Sequence, residues 1–492
     1  MRMKEYKYSI FTDKIEEGIN KGLLKPGDKL PSVRAIKKEY NLSISSVQSG
    51  YDYLVFKGLV TSVPRSGYIV SDRLAEQNLE VELPIIPRDA VFRKKIHLIT
   101  NPISDTSQTI LNEASPSDLF IPQKLVLKTM QEVIREKGAS LLRYYPNNGA
   151  EELRALLVKR AGLHGASISS DELLVTDGAL QALYIALSSI TSPNDIIAVE
   201  SPCIFSILEV IASLKLKTIE IPVRAYDGFD TDYLKKVCAT NNIKAIVLTP
   251  NFHNPTGILM TEESKKAVYE TALYHNVPII ENDVFGCLYF KGSRPSNIRN
   301  YDEAGLVMTY SSFSKSLAPG IRLGWLAAGQ FFSEAERLKF ALGRSVSPIN
   351  QEVMIKLLQS SAYDKHLRVF RQQLERQALQ LVKQLIHSFP DSIHVQLPQG
   401  GYCTWVQLSA HIDMNFFYKR CTEEGVQFTP GETFSFTDVY DNCFRAVFSK
   451  QLTLHNLEAI RRVGESILKA MYRCFFRILY RNKWDRKGYV CR

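Results

Sequence analysis

"YSSFSKSLAPGIRLGW", residues 310–325, is the stretch from which the fold is read. It ends an apolar run in hydroxyl groups, places one lysine, Lys315, among small residues, and puts Arg322 seven positions later. A lysine by itself says little, because most lysines are solvated surface charges. Its surroundings decide. "AGLVMTYSSFSK" has the apolar, β-branched and aromatic content of a strand, so Lys315 falls just past a strand end.

Similar runs precede it. "ELLVTDG", "IIAVESP", "KAIVLTP" and "VPIIEND" read as strands, and "ALQALYIALSSI" and "ESKKAVYETALYHN" read as helices between them. Strands alternating with helices predict an α/β fold with a mainly parallel, doubly wound sheet. Ligands bind such sheets beyond the carboxyl ends of the strands. "TDGALQAL", "TPNFHNPTG", "IIENDVF" and the opening stretch each follow a strand, so their polar groups are expected on one rim. The first amides after Gly178, those of Ala179 and Leu180, open a helix and attract phosphate. Ser312, Ser314 and Arg322 add hydroxyl and guanidinium donors. Asn254 can donate to a ring hydroxyl, and Lys315 offers an amine for a Schiff base.

Together, "NPTG" at 254–257 and "SFSK…R" at 312–322 resemble the fold-type I pyridoxal 5'-phosphate (PLP)-dependent aminotransferases, over roughly residues 110–470. The resemblance implies a PLP-dependent transferase-like doubly wound domain with a smaller C-terminal α+β subdomain. It makes Lys315 the lysine of the Schiff base. It assigns the ligand's carboxylate to Arg445 in "CFRAVFSK". It has Tyr144 reach the phosphate held by a neighbouring subunit, which implies a homodimer. The chain departs from the pattern in places. Asn282 stands where an aspartate usually meets the ring nitrogen, with Asp283 one residue later, and Phe285 replaces a tyrosine. Leu180 stands where glutamine is common. Ile204 occupies the position of a ring-stacking aromatic, with Phe205 next to it. A carboxylate keeps the pyridine nitrogen protonated and so makes the ring an electron sink, which asparagine does less well.

The other end of the chain reads differently. Apolar positions Ile10, Phe11, Ile15, Ile19, Leu23 and Leu24 predict a helix over 9–24. Ser32 can cap a second, "VRAIKKEY", and Ser43 or Ser45 a third, "SVQSGYDYLVFKG", which Gly58 stops at its C′ position. "LVTSVPRSGYIV" reads as two strands around a polar tip. Three helices and a hairpin make a winged helix-turn-helix, whose second turn helix enters the DNA major groove. "GDKLPSVRAIKKEYNLSISSVQSGYDYLVFKGLVTSVPRSGYIV" resembles the GntR-type DNA-binding domain. That resemblance implies that Arg34, Ser46, Gln48, Arg65 and Gly67 face double-stranded DNA. The family often places arginine where this chain has Ile44, so one usual contact is absent and the operator is not inferred.

The expected domains are therefore 1–72 (winged helix-turn-helix), 73–109 (linker), 110–470 (PLP-binding domain) and 471–492 (a basic, aromatic tail). Charges, prolines and no clean period mark the linker as a connection. The tail, "MYRCFFRILYRNKWDRKGYVCR", reads most simply as an extension of the last helix.

Charge agrees with this division. The formal net charge is +10, yet residues 1–75 hold 13 Lys and Arg against 8 acids, and residues 471–492 hold 7 against 1. The two ends are basic, and the body between is nearly neutral. An anionic partner is expected at the ends. Eight scattered cysteines lack any metal-ligand spacing, so no metal site is expected. No apolar run of 18 residues and no signal-peptide core appear, which points to the cytoplasm and away from membranes.

A GntR-type domain followed by an aminotransferase-like domain resembles the MocR family of transcription regulators. That resemblance implies a sequence-specific DNA-binding regulator that senses an amino acid, an amine or PLP through aldimine exchange at Lys315. The competing reading is an active PLP-dependent aminotransferase with an appended DNA-binding domain. A third is a fold of this type that has lost PLP.

Overall fold

The computed structural model describes residues 9–20, 23–25, 27–56, 59–63, 67–71, 83–91, 108–224, 228–390, 393–437 and 439–484. The chain divides into two compact units, Met1–Val81 and Glu82–Arg492.

In the first unit, α1 (Ser9–Asn20), α2 (Val33–Tyr40) and α3 (Ile44–Phe56) precede an antiparallel pair, β1 (Val60–Val63) and β2 (Gly67–Val70). The Ser32 hydroxyl accepts from Ala35 N at 3.2 Å and starts α2. Asn41, at φ +50°, ends it. Ser43, not Ser45, caps α3, its hydroxyl accepting from Ser46 N at 3.0 Å. The first helix stops at Asn20, short of Leu23, whose side chain is exposed. Phe11, Ile36, Val47, Tyr51, Leu54 and Val70 form the core. The Tyr51 and Tyr68 rings stack at 4.0 Å and join the recognition helix to the wing. Gly58 and Arg65 lie outside the described residues.

The second unit is built on a large sheet. Its strands are β3 (Arg88–Asp89), β5 (Leu173–Thr176), β6 (Ile196–Ser201), β7 (Lys217–Arg224), β8 (Gly228–Phe229), β9 (Ile243–Leu248), β10 (Ile279–Asn282), β11 (Val307–Ser312) and β12 (Gly324–Ala327). β4 (Thr109–Ile110) lies outside this sheet. The order is β3-β7-β6-β9-β10-β11-β12-β5, with β8 paired to β7. The block from β7 to β11 is parallel, as its sequence predicted, and β12 and β3 run against it.

Helices cover both faces, so the central strands are buried throughout and read as continuous apolar runs. Flanking the sheet are α4 (Gln123–Lys137), α5 (Glu151–Gly162), α6 (Ala179–Ile190), α7 (Phe205–Ser213), α8 (Thr231–Thr240), α9 (Glu262–His275), α10 (Phe332–Leu342) and α11 (Pro348–Gln359). Ile197, Val199, Val247, Ile280 and Tyr310 pack with α6 and α7. Ala198, Ile246, Leu248 and Ile279 pack on the opposite face with α8 and α9.

The smaller subdomain follows, with α12 (Ala362–Ser388), β13 (His394–Val395), β14 (Cys403–Gln407), α13 (Met414–Glu423), β15 (Val426–Gln427), β16 (Thr429–Pro430), β17 (Cys443–Val447) and α14 (Leu454–Trp484). Four of its strands form a sheet in the order β13-β14-β17-β16, and β15 pairs with β4.

One segment differs from the sequence-based expectation. Residues 83–91, read above as part of a linker, contain β3, which pairs with β7. Leu83 is buried, and its carbonyl accepts from the Tyr233 hydroxyl at 2.6 Å. A two-residue strand has no period to detect, so composition alone reads as a connection. The tail behaves as read: the last helix, α14, runs to Trp484, so the start of the basic tail extends it.

One contact positions the rim. β12 pairs with both β11 and β5, and a Cβ on Gly324 would lie 2.6 Å from the Gly178 carbonyl carbon and 2.8 Å from Ser311 O. Both neighbours are backbone, which cannot step aside as a flexible side chain would. Gly324→Ala should cost about 1–3 kcal/mol of unfolding free energy through overpacking. Urea titration of the full chain against the wild type measures it.

Candidate functional site

Strand ends bring four of the sequence motifs to one rim. Gly178, at φ +81°, caps α6, so the first amides of Ala179 and Leu180 face outward without helical partners. Arg322 is held in the left-handed region at φ +44° by the turn before β12. Its guanidinium covers Gly178, where an added Cβ would lie 3.0 Å from Nη2. It donates to Asp177 O at 2.8 Å and lies 3.5 Å from the Asp177 carboxylate. Ser312 ends β11, and its hydroxyl accepts from Ser314 N at 3.3 Å. Free amides, a guanidinium, two hydroxyls and a glycine that admits close approach form a cradle suited to a phosphate.

The turn after β11 carries Lys315. Tyr402 donates its hydroxyl to Lys315 O, and Tyr363 donates to the Ser316 hydroxyl at 2.7 Å. Burial, and then the nearby Arg445 guanidinium, push the Lys315 amine down from 10.5 to about 8. Its Nζ donates to Ala114 O at 2.5 Å.

Arg445 lies on β17 and is 1% exposed. It donates to Asn254 Oδ1 at 2.9 Å, Asn112 O at 2.5 Å and the Thr429 hydroxyl at 3.1 Å. Its guanidinium stands 5.1 Å from the Phe434 ring and 6.0 Å from the Phe205 ring. Nε has no partner. Burial lowers its pKa to about 10. Asn254 is buried, and with its oxygen on Arg445 its amide NH2 remains a donor. Phe205 therefore opens α7 beside the arginine, while Ile204 packs into the core beneath α6 and α7.

The strand end at β10 separates Asn282 from Asp283. Ile280 faces α6, and Asn282, two residues on and opposite Tyr310, shares that face. Its Oδ1 accepts from Val284 N at 3.1 Å. Asp283 lies on the other face, ion-paired with Arg294. Neither residue pattern nor spacing announced Arg294 as its partner. Phe285 is buried against Tyr402.

Tyr144 is 75% exposed, with the Arg344 guanidinium 5.0 Å from its ring. Leu180, 45% exposed, sits in the first turn of α6.

In the other unit, Arg34 and Gln48 are exposed, and Ser46 is half-buried. Gln48 Nε2 donates to the Tyr68 hydroxyl at 2.8 Å, so this expected DNA contact is engaged by the wing strand. Gly67 opens β2 at φ +96°, and among the described residues nothing lies within 4 Å of a Cβ added there. Arg65 belongs to the segment outside the described residues.

Some groups at the site had no signal in the sequence. The carbonyls of Asn112 and Ala114 are main-chain atoms that any residue carries. Glu220, buried and with its pKa raised by burial, accepts from Ser201, Ser435, Thr437 and Phe436 N, tying β7 to the segment after Phe434. Among the described residues no group of His, Cys, Asp or Glu could hold a metal, and no helix is long and apolar enough to cross a membrane.

Comparisons agree with this architecture. Residues 111–462 match the family Aminotransferase class I and II, and residues 7–70 match Bacterial regulatory proteins, gntR family. The Escherichia coli K12 protein called uncharacterized HTH-type transcriptional regulator YjiR is 30% identical over 474 residues, covering 94% of this chain and 99% of its own. The solved multiple substrate aminotransferase of Thermococcus profundus superposes with a TM-score of 0.73 at 23% identity, covering 78% of this chain and 96% of its own. The Thermus thermophilus alpha-aminoadipate aminotransferase LysN, solved with N-(5'-phosphopyridoxyl)-L-leucine, gives 0.68 at 23% identity, covering 75% and 94%.

The depressed amine sets a pH window. Lys315 is protonated below about pH 8 and neutral above it. Its acylation by an amine-directed reagent should rise about tenfold per unit up to there and then level off, while ordinary lysines keep rising towards about 10.4. Peptide mass spectrometry of the labelled protein across pH measures both, with Lys315→Arg identifying the peptide.

Proposed function

Since the chain belongs to the aminotransferase class I and II family and carries a gntR-family domain ahead of it, the MocR architecture, we propose that it is a DNA-binding transcriptional regulator whose large module binds PLP and senses an amino acid or related amine. The observation that carries the sensing is the shared hold on two cations that lie far apart in the sequence. Lys315 and Arg445 both donate to carbonyls of one short segment, Ala114 O and Asn112 O.

The residues present fit PLP. The Gly178 cradle with Ala179, Leu180, Ser312, Ser314 and Arg322 would hold the phosphate. The Asn254 amide would donate to the ring hydroxyl, and Phe205 would lie along the ring. When bound, PLP supplies an aldehyde that condenses with amines. Lys315 provides the resident amine, and its pKa near 8 keeps a substantial neutral fraction at physiological pH. Arg445 binds the carboxylate of an incoming amino acid, which then competes with Asn112 O for the same guanidinium. A ligand that displaces Asn112 O releases one of the contacts that hold the Leu111–Ser115 stretch. A shift of this kind requires the ligand to favour one arrangement over the other.

The strand end of β10 supports sensing over turnover. Asn282, on the face of α6, is a neutral group and holds no charge opposite a protonated ring nitrogen. The carboxylate that follows it, Asp283, is committed to Arg294. Phe285 brings no hydroxyl. Tyr144, exposed as it is, would serve the site of a second copy, and the working form is then a homodimer.

The alternative is an active aminotransferase with an appended DNA-binding domain, which the retained Lys315 and Arg445 favour. Visible spectroscopy separates the readings. Purified protein with PLP should show a band that Lys315→Ala lacks. Added amino acids should shift the band with little keto-acid release, and Arg445→Met should weaken that response at least tenfold. Sustained keto-acid release with a second substrate establishes the enzyme instead. No band with added PLP sinks the cofactor assignment. Asn282→Asp should raise whatever turnover exists.

A further inference from the structure

The start of α3 exposes an apolar side chain. Ile44, its first residue, is 56% exposed and takes no part in the domain's core. Its neighbours are polar. The Ser43 hydroxyl lies 2.9 Å from that of Ser45 and 2.8 Å from that of Ser46. Arg34, on α2, is exposed. Gln48, one turn further along α3, has its amide nitrogen bonded to the Tyr68 hydroxyl at 2.8 Å.

Local folding does not require isoleucine here. Ser43 already caps the helix, and a β-branched residue is a mediocre helix former. Nor does Ile44 serve the core, since Val47 and Tyr51 fill the buried face of the same helix. Its chemistry points outward. The first residues of a recognition helix are those that meet base edges in the major groove. A side chain without donors or acceptors cannot pair with the polar edges of guanine, adenine or cytosine. The one apolar feature on that wall of the groove is the 5-methyl group of thymine.

We propose that Ile44 is a specificity-determining residue that selects thymine, through its 5-methyl group, at one fixed position of each half-site. This rests on the DNA-binding reading above. The basic balance of residues 1–75 supplies the attraction to phosphate, and Ile44 supplies discrimination among sequences. An arginine at the same place would favour guanine.

Selection from a random pool of unmodified duplexes with the full-length protein tests this. The wild type should enrich a motif with an invariant thymine in each half. Ile44→Ala should lose preference at that position while keeping the rest of the motif, and Ile44→Arg should move it towards guanine. Replacing that thymine by deoxyuridine removes only the methyl group. It should weaken wild-type binding about 4-fold, the worth of one buried methyl-sized group, and have no effect on Ile44→Ala. Circular dichroism checks that both variants fold. If a motif emerges but uridine at every thymine is tolerated, or if wild type and Ile44→Ala respond alike, the inference is overturned and DNA binding stands. If the wild type enriches no sequence, both fall.

Discussion

The approach of Gly324 to Gly178 is the constraint on which the site depends. Two backbones pass so closely that neither position tolerates a Cβ without displacing main chain or the Arg322 guanidinium. This closeness lets β12 fit between β11 and β5. It thereby fixes three things at once: the N-terminus of α6, the turn that holds Arg322 in its left-handed conformation, and the end of β11 from which the Lys315 turn departs. The free amides of α6, the Arg322 guanidinium and the Lys315 amine are placed by one piece of sheet geometry and share its rigidity.

Around that frame the charges are arranged unequally. Arg445 is almost wholly buried, yet among the described residues no carboxylate neutralises it. Its partners are an asparagine oxygen, a hydroxyl and a main-chain carbonyl, with two aromatic rings nearby. Burying a cation with only neutral partners is costly, and burial accordingly lowers its pKa. An anion arriving there meets a cation that is desolvated and already aimed. Asp283 is the converse case, a buried carboxylate already satisfied by Arg294. The same strand end thus keeps a carboxylate one residue from Asn282 and pairs it with Arg294.

The Leu111–Ser115 stretch links these features. Arg445 holds Asn112 O, Lys315 holds Ala114 O, and the Ser449 hydroxyl donates to Ser115 O at 2.6 Å. β4, just before it, pairs with β15 of the smaller subdomain. Ligand chemistry and chain connectivity therefore meet in one extended segment.

Much of this was legible in the sequence. The central strands announced themselves because burial on both faces leaves only apolar residues, and the motifs fell at their carboxyl ends because that is where strands stop. Ser32 signalled a helix start because the cap is a local interaction, and Lys315, Arg322, Asn254 and Arg445 stood out because their side chains have distinctive chemistry in a distinctive order. Pairings over long sequence distance were not legible. β3 is two residues long and exists only because β7 offers it an edge. Asn282 and Asp283 differ by one step along a strand, and only the sheet's two faces decide which meets α6 and which meets Arg294. The partners of Arg445 and Lys315 at Asn112 and Ala114 are backbone oxygens, identical at every residue, so nothing but the tertiary fold could select them.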